Sequence, residues 1–278
     1  MSITVEAYAR ECAEQGLRGD YAACQADFTV EQSHDYTDED REVWHILCDR
    51  QTKLTSKLAH HSYLDGVEAL GLLEQIPDFH KVSERLRGMT GWEIVAVPGL
   101  IPIDAFFDHL ANRRFPVTNW LRSKKELDYI VEPDMFHDFF GHVPILTQPV
   151  FADFMQLYGL KGGEAVKIGG EQMVSRLYWY TAEFGLMRES GAPVLKAFGA
   201  GLMSSFTELQ FAVTSPDAHH VPFDLGTVMR TSYEIDKFQR AYFVLPSFDT
   251  LRDAFSKADM PGLVARWKDA EPLDPAAV

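Results

Sequence analysis

The segment EPDMFHDFFGHVP, residues 132–144, predicts a short buried helix that carries two histidines. Proline suits the first turn of a helix, where its missing N–H is not needed, and a second proline ends the segment. His137 and His142 are five residues apart, which on a regular α-helix separates them by about 140° around the axis. A shared metal site therefore requires a loosened last turn, and Gly141 makes such a turn easy.

Two neighbouring histidines are weak evidence for a metal by themselves, because histidines are common in cores and at helix ends. The chain contains two further pairs, His60-His61 and His219-His220, in polar stretches that we assign to the surface or to loops. A third kind of ligand is needed to separate a metal site from such pairs.

Glu183 supplies that third ligand in the segment RLYWYTAEFGLM, residues 176–187. The segment is apolar nearly all round and is expected to be buried, where an ionised carboxylate without a partner is very costly. A metal cation would remove the cost. A salt bridge to an arginine and a protonated Glu183 remain open as alternatives.

Two imidazoles and one carboxylate form the facial triad of non-haem Fe(II) oxygenases, which leaves three coordination positions open. The same ligand set also serves catalytic zinc. At this point the triad permits both an oxygenase and a hydrolase.

The amino-acid composition limits the classes of molecule that the protein can bind. The 278 residues are 46% hydrophobic and carry a formal net charge of -15, so the chain can bury a substantial core but is repelled by nucleic acid and by anionic membrane surfaces. Cys12, Cys24 and Cys48 argue against a disulfide framework, and neither a signal peptide nor a membrane span is evident. We expect a cytoplasmic protein.

The distribution of patterns predicts a mainly α fold with a few short β-strands at the edge, that is, an α+β fold in one catalytic domain. We expect an N-terminal extension over residues 1–35, the domain over 36–260 and a C-terminal tail over 261–278. Strands are expected at 93–97 and 240–245. Helices are expected from Thr37 onward and at 64–75, 80–88, 103–113, 122–130, 134–142, 150–158, 171–188, 205–213 and 248–258.

Three segments together resemble the aromatic amino acid hydroxylases, and in particular the bacterial enzymes that act on phenylalanine. They are EPDMFHDFFGHVPIL, RLYWYTAEFGL and KAFGAGLMSSFTELQF, and the resemblance runs from about Tyr36 to about Phe248. It implies a catalytic domain that uses Fe(II), tetrahydrobiopterin or a related reduced pterin, and dioxygen to hydroxylate an aromatic ring. The implied iron ligands are His137, His142 and Glu183.

The resemblance also implies pterin contacts along GLIPIDAF, residues 99–106, with Phe106 stacking on the pterin ring. Judged by its local sequence alone, Phe106 is a core residue. Ile103 replaces a serine of some relatives, and Asp138 replaces a glutamate of many. The cofactor-binding residues expected from the resemblance are Gly99, Leu100, Ile101, Phe106, Asp138 and Tyr178.

For the substrate, the resemblance implies that Arg122 binds the amino acid carboxylate, because a guanidinium pairs with a carboxylate through two parallel hydrogen bonds. Without the resemblance, Arg122 belongs to a solvated basic run that includes Lys124 and Lys125. The remaining substrate contacts that the resemblance implies are the ring-pocket residues Pro133, Trp179 and Phe184 and the residues near the iron ligands, Ser204 and Ser205.

The expected reaction is the 4-hydroxylation of L-phenylalanine to tyrosine by a monomeric, constitutively active enzyme. Hydroxylation of tryptophan or tyrosine is the nearest alternative, because the shape of the ring pocket decides between the three substrates. A zinc hydrolase on the same triad and a metal-binding regulatory protein are the alternatives from other classes.

Overall fold

The fold is known from a computed structural model, which describes residues 3–32, 35–189, 194–235 and 237–278. Its α-helices are α1 (Val5–Gln15), α2 (Asp38–Leu58), α3 (His61–Leu70), α4 (Phe79–Thr90), α5 (Ile103–Ala111), α6 (Pro149–Lys167), α7 (Glu171–Tyr178), α8 (Ala200–Ser204), α9 (Phe206–Thr214), α10 (Leu225–Arg230), α11 (Phe248–Lys257) and α12 (Met260–Trp267). No helix among the described residues is both long and apolar enough to cross a membrane.

Short strands form two small sheets. Strands β1 (Glu93–Val97) and β2 (Arg114–Thr118) pair in parallel. The second sheet has the order β4-β3-β6-β5, in which β3 pairs with β4 antiparallel and with β6 parallel, and β5 pairs with β6 parallel. Its strands are β3 (Leu186–Arg188), β4 (Leu195–Ala197), β5 (His220–Pro222) and β6 (Tyr242–Leu245).

Two π-helical segments lie at the centre of the molecule, at His137–His142 and Trp179–Glu183. Their backbone hydrogen bonds span five residues, as in the bond from the Phe184 N–H to the Trp179 carbonyl at 2.9 Å. Such segments are rare and are found mainly at functional sites, because the widened turn redirects side chains.

The expected mainly α fold with short edge strands is confirmed, as are the individual elements around Thr37 and at 93–97. Thr37 caps α2 in a reciprocal pair with Asp40, which is the arrangement that the acidic first turn predicts. The strand expected at 240–245 is present over Tyr242–Leu245.

Four helix predictions are wrong at their ends or throughout. The helix expected at 64–75 is α3, which begins at His61 and ends at Leu70, where Gly71 caps it. Residues 122–130 contain only a single 3₁₀ turn, Lys124–Glu126, because Ser123 and Glu126 cap one another there. The helix expected at 150–158 continues to Lys167, since the glycines that suggested a break allow close packing: a Cβ at Gly162 would lie 2.2 Å from the Phe107 ring. The helix expected at 171–188 changes to a π-helix at Trp179 and ends before β3.

Sequence analysis also missed several helices and strands. The polar N-terminal stretch contains α1, and strands β2, β3, β4 and β5 have no clear sequence signal because most are only three residues long. The C-terminal stretch includes α12, and its Leu273 exchanges backbone hydrogen bonds with Arg230 and Ser232.

Candidate active site

The side chains of His137, His142 and Glu183 converge at the centre of the molecule. The Nε2 atom of His142 lies 3.0 Å from Oε1 of Glu183, and Nε2 of His137 lies 3.6 Å from Oε2. One nitrogen or oxygen atom from each side chain lies within 4.8 Å of the others. These separations suit one metal ion bound by all three atoms.

The π-helical turn explains how two histidines five residues apart reach the same point. Hydrogen bonds that span five residues place the side chains of residues i and i+5 on the same face of the helix. The expected loosened last turn is therefore a π-helix that runs from His137 to His142.

Gly141 has a packing role in this turn. A Cβ at Gly141 would lie 2.9 Å from both the Cβ and the carbonyl oxygen of Ala200, at the start of α8. The close approach brings Ser204, at the end of α8, to 2.8 Å from Nδ1 of His137. Hydrogen bonding at the outer ring nitrogen orients a histidine so that Nε2 faces a metal.

The electrostatics of the three residues favour an ionised carboxylate beside a cation. Burial alone would raise the pKa of Glu183, but the adjacent His142 and His137 hold that pKa well below its usual range. Burial likewise opposes protonation of His137, and the Glu183 carboxylate more than offsets it and raises the pKa of His137. A divalent ion bound by all three side chains meets the same electrostatic demand without a proton on either imidazole.

Arg122 is buried beside this cluster and is not part of a solvated basic face. Its Nε and Nη2 atoms each donate to a different oxygen of Asp134 at 2.8 Å. Asp134 also accepts hydrogen bonds from the backbone N–H groups of Arg122 and His137 at 3.0 Å. One carboxylate thus links the predicted substrate arginine to the first predicted iron ligand.

A cavity of about 270 Å³ opens directly onto the three candidate ligands. Its walls are mainly apolar, which suits a flat heteroaromatic ring better than a charged ligand. The cavity is lined by Val97, Gly99, Leu100, Ile101, Ile103, Phe106, Phe115, Pro116, Thr118, Pro133, His137, Asp138, His142, Tyr178 and Glu183.

Comparisons with known proteins identify the family. The family model described as biopterin-dependent aromatic amino acid hydroxylase matches residues 21–260. The chain belongs to this family. Membership favours the oxygenase reading of the triad over the zinc hydrolase and over a non-enzymatic metal-binding protein.

Individual relatives agree with this assignment. The chain is 74% identical over 276 residues to a phenylalanine-4-hydroxylase of Mesorhizobium japonicum, with 99% of this chain and 100% of that protein covered. A phenylalanine-4-hydroxylase of Ralstonia nicotianae is 48% identical over 88% of this chain and 78% of its own length. The iron- and phenylalanine-bound crystal structure of phenylalanine hydroxylase from Chromobacterium violaceum superposes with a TM-score of 0.86 at 45% identity, covering 97% and 96% of the two chains.

All six residues expected to bind the pterin of this hydroxylase family line the cavity. Phe106 is half-buried on α5 and meets the Tyr178 ring edge to face, with centroids 5.6 Å apart. Gly99 has a φ of 149°, and a Cβ there would lie 2.7 Å from the Tyr21 hydroxyl, so a larger residue would displace the loop.

Asp138 lies in the cavity wall and also holds the end of β2. Its Oδ2 accepts the Thr118 N–H at 2.7 Å. Burial raises the pKa of Asp138, although His137, His142 and Thr118 act in the opposite direction.

The residues expected to bind substrate are less closely grouped. Of the six, only Pro133 lines the cavity, while Ser204 contacts His137 and Arg122 contacts Asp134. The rings of Trp179 and Phe184 pack together with centroids 4.9 Å apart. They lie beside Glu183 and are not among the residues that line the cavity.

Ser205 differs from Ser204 in where its hydroxyl points. Its Oγ accepts the Glu208 N–H at 3.2 Å and caps the start of α9.

Sequence analysis missed two polar residues that hold the side chains of the site, Asp134 and Gln239. Asp134 had a usable signal, because an aspartate three residues before His137 matches the spacing of an N-cap hydrogen bond. Gln239 had none: its Oε1 accepts the Trp179 indole N–H at 2.9 Å across 60 residues of sequence.

Proposed function

We propose that this chain is an Fe(II)- and tetrahydropterin-dependent phenylalanine 4-monooxygenase, which converts L-phenylalanine to L-tyrosine with dioxygen. The observation that carries the proposal is the cluster of His137, His142 and Glu183 at one end of an apolar cavity. The 74% identity to a phenylalanine-4-hydroxylase over nearly the whole chain supports the choice of substrate.

The donor set fits Fe(II). Two neutral imidazoles and one carboxylate provide three ligands, and the cavity on the open side leaves room for further ligands. Ser204 orients His137 through Nδ1. When bound, iron and the reduced pterin supply the electrons that activate dioxygen.

Phe106 and Tyr178 provide the aromatic surface for the pterin within the cavity. Aromatic side chains stack well on a flat heterocycle, and the apolar walls exclude bulk water from its neighbourhood. Burial keeps the pKa of Tyr178 well above its usual value, so its hydroxyl stays protonated and can donate a hydrogen bond.

Arg122 is proposed to bind the substrate carboxylate. Asp134 fixes the guanidinium plane through Nε and Nη2, while Nη1 has no acceptor among the residues that the structure describes. An orientation fixed in advance reduces the entropy lost when the carboxylate binds.

The substrate ring is proposed to lie between Pro133 and the rings of Trp179 and Phe184. Gln239 accepts a hydrogen bond from the Trp179 indole N–H, and Tyr233 stacks on the Trp179 ring with ring centroids 4.4 Å apart. A tryptophan fixed at both its edge and its face gives the pocket a defined width.

Turnover of phenylalanine, tryptophan and tyrosine with Fe(II) and a reduced pterin, with products identified by mass spectrometry, tests the proposal. We expect tyrosine from phenylalanine as the dominant product, and one atom of labelled dioxygen in it. Product formation without pterin, or a preference for tryptophan, would refute the proposed reaction.

We also propose that the protein is a cytoplasmic monomer. The net charge of -15 disfavours self-association, and α12 is too short to form a tetramerisation coiled coil. The three cysteines are unpaired, as in a reducing compartment. Light scattering that gave a tetramer at micromolar concentration would contradict the monomer.

A further inference from the structure

A segment before the family match lies against the mouth of the cavity. The match begins at residue 21, whereas the described chain begins at residue 3 and forms α1 before it reaches the matched region. We call residues 3–20 the N-terminal brace. It contacts two pieces of chain that border the cavity, the 98–102 loop and the 123–133 segment.

The first contacts are with the backbone of the 98–102 loop. The Tyr8 hydroxyl on α1 donates a hydrogen bond to the Leu100 carbonyl at 3.2 Å. Gly19 packs so closely on this loop that a Cβ there would lie 1.9 Å from the Pro98 carbonyl oxygen. The brace therefore packs directly against the loop that contains three of the residues expected to contact the pterin.

The second contacts are with the 123–133 segment, and Arg18 makes them. Its backbone N–H lies 3.2 Å from both carboxylate oxygens of Glu132, the residue before Pro133 in the cavity wall. Its guanidinium pairs with the Glu126 carboxylate. Arg18 thus holds both ends of the turn that leads to Pro133.

Trp120 joins the two sets of contacts. The Arg18 guanidinium lies over its ring at 5.2 Å, and the indole N–H donates to the Pro98 carbonyl at 2.8 Å. This series of contacts, from Arg18 through Trp120 to Pro98, links the 123–133 segment to the 98–102 loop.

We propose that the N-terminal brace fixes the spacing between the 98–102 loop and the 123–133 segment, and that Arg18 is a positioning residue for pterin binding. The inference rests on the pterin site of the proposed function and adds to it a set of contacts before the family match. Arg18 does not touch the cavity itself and acts through Trp120, Glu126 and Glu132.

Several contacts are needed because no single one is strong. The Arg18 side chain is 44% exposed, and an exposed ion pair alone contributes little. The hydrogen bond from Arg18 nevertheless lowers the pKa of Glu126 to about 2. The ion pair, the ring contact and the close glycine packing all act at the same junction.

The test measures binding of 7,8-dihydrobiopterin to the iron-loaded protein by calorimetry, together with the pterin KM, kcat, iron content and Tm. The variants are Arg18→Ala, Arg18→Lys and Gly19→Ala, and the control is Arg10→Ala, which removes an exposed arginine from α1. We expect Arg18→Ala to weaken dihydrobiopterin binding about 5- to 20-fold and to raise the pterin KM similarly, with kcat and iron content near wild type.

Arg18→Lys should recover part of the affinity, because it keeps the charge beside Glu126. Gly19→Ala should weaken binding with no change of charge, since its methyl group displaces the Pro98 carbonyl. Arg10→Ala should bind as wild type does. Wild-type affinity for dihydrobiopterin in both Arg18→Ala and Gly19→Ala would overturn the role of the brace and leave the proposed pterin site intact.

Two other results would also count against the brace. A parallel loss of iron, Tm and pterin binding in Arg18→Ala would make Arg18 a merely structural residue. Failure of the wild-type protein to bind dihydrobiopterin would overturn the proposed pterin site and the brace together.

Discussion

Two buried carboxylates lie within the same site but have different partners. Asp134 is fully buried and accepts four hydrogen bonds, three of them from Arg122, which carries a permanent positive charge. Glu183 faces only the imidazoles of His137 and His142, and no lysine or arginine of the described residues forms an ion pair with it.

The difference separates a structural ion pair from a metal ligand. A carboxylate with a fixed guanidinium partner is already neutralised and gains little from a metal ion. A carboxylate beside two imidazoles is compensated only by a proton on an imidazole or by a bound cation, so its ionisation favours metal binding. The first of three predictions tests this distinction directly, and the other two test the neighbouring substrate and pterin sites, from the largest expected effect to the smallest.

Asp134→Ala should lower the free energy of unfolding by about 3–5 kcal/mol, because it leaves the buried Arg122 guanidinium without its partner. Glu183→Gln, measured on the metal-free protein, should cost much less, since it removes a buried charge and keeps the shape. Urea denaturation measures both.

Asp128→Ala is the control for that comparison, because Asp128 forms an exposed ion pair with Arg50. It should change the unfolding free energy by less than about 1 kcal/mol. Equal losses for Asp134→Ala and Asp128→Ala would show that the buried pair has no special role in stability.

Arg122→Lys should lower kcat/KM for phenylalanine by about 10- to 150-fold, which corresponds to roughly 1.5–3 kcal/mol for one charge-assisted hydrogen bond. Lysine keeps the charge but loses the planar pairing with Asp134 and with the substrate. Steady-state kinetics with phenylalanine measure the loss, and the pterin KM should stay near wild type.

The exposed Lys125 gives the matched control from the same basic run, and Lys125→Ala should have little effect. If Arg122→Lys and Lys125→Ala are equally mild, the substrate carboxylate binds elsewhere.

Phe106→Ala should raise the pterin KM about 5-fold, the equivalent of roughly 1 kcal/mol of ring stacking. Iron content should not change, because Phe106 lines the cavity without contacting the ligand side chains. Unchanged pterin kinetics would remove Phe106 from the cofactor site.

The sequence made His137, His142 and Glu183 candidate metal ligands but did not predict their geometry. Residue types alone left a salt bridge or a protonated Glu183 open, and the resemblance to the aromatic amino acid hydroxylases selected the three residues as predicted iron ligands. The π-helical turns that bring them together depend on packing against α8 and on hydrogen bonds at the segment ends, and no local propensity encodes those contacts.

The environment of Arg122 was also beyond local sequence. Lys124 and Lys125 beside it suggest a solvated face, and only the fold brings Asp134 against its guanidinium. For the same reason the short strands β3, β4 and β5 were missed, since pairing with distant residues determines them rather than their composition.

Anaerobic titration of the metal-free protein with Fe(II) tests the central claim, that Glu183 and not Asp134 is the carboxylate which requires a metal. Glu208→Gln is the matched control, because Glu208 is also buried but accepts hydrogen bonds from Gln239 and Tyr242. We expect one tightly bound Fe(II) per chain in wild type and Glu208→Gln, and loss of tight binding in Glu183→Gln. Wild-type affinity and stoichiometry in Glu183→Gln would contradict the account.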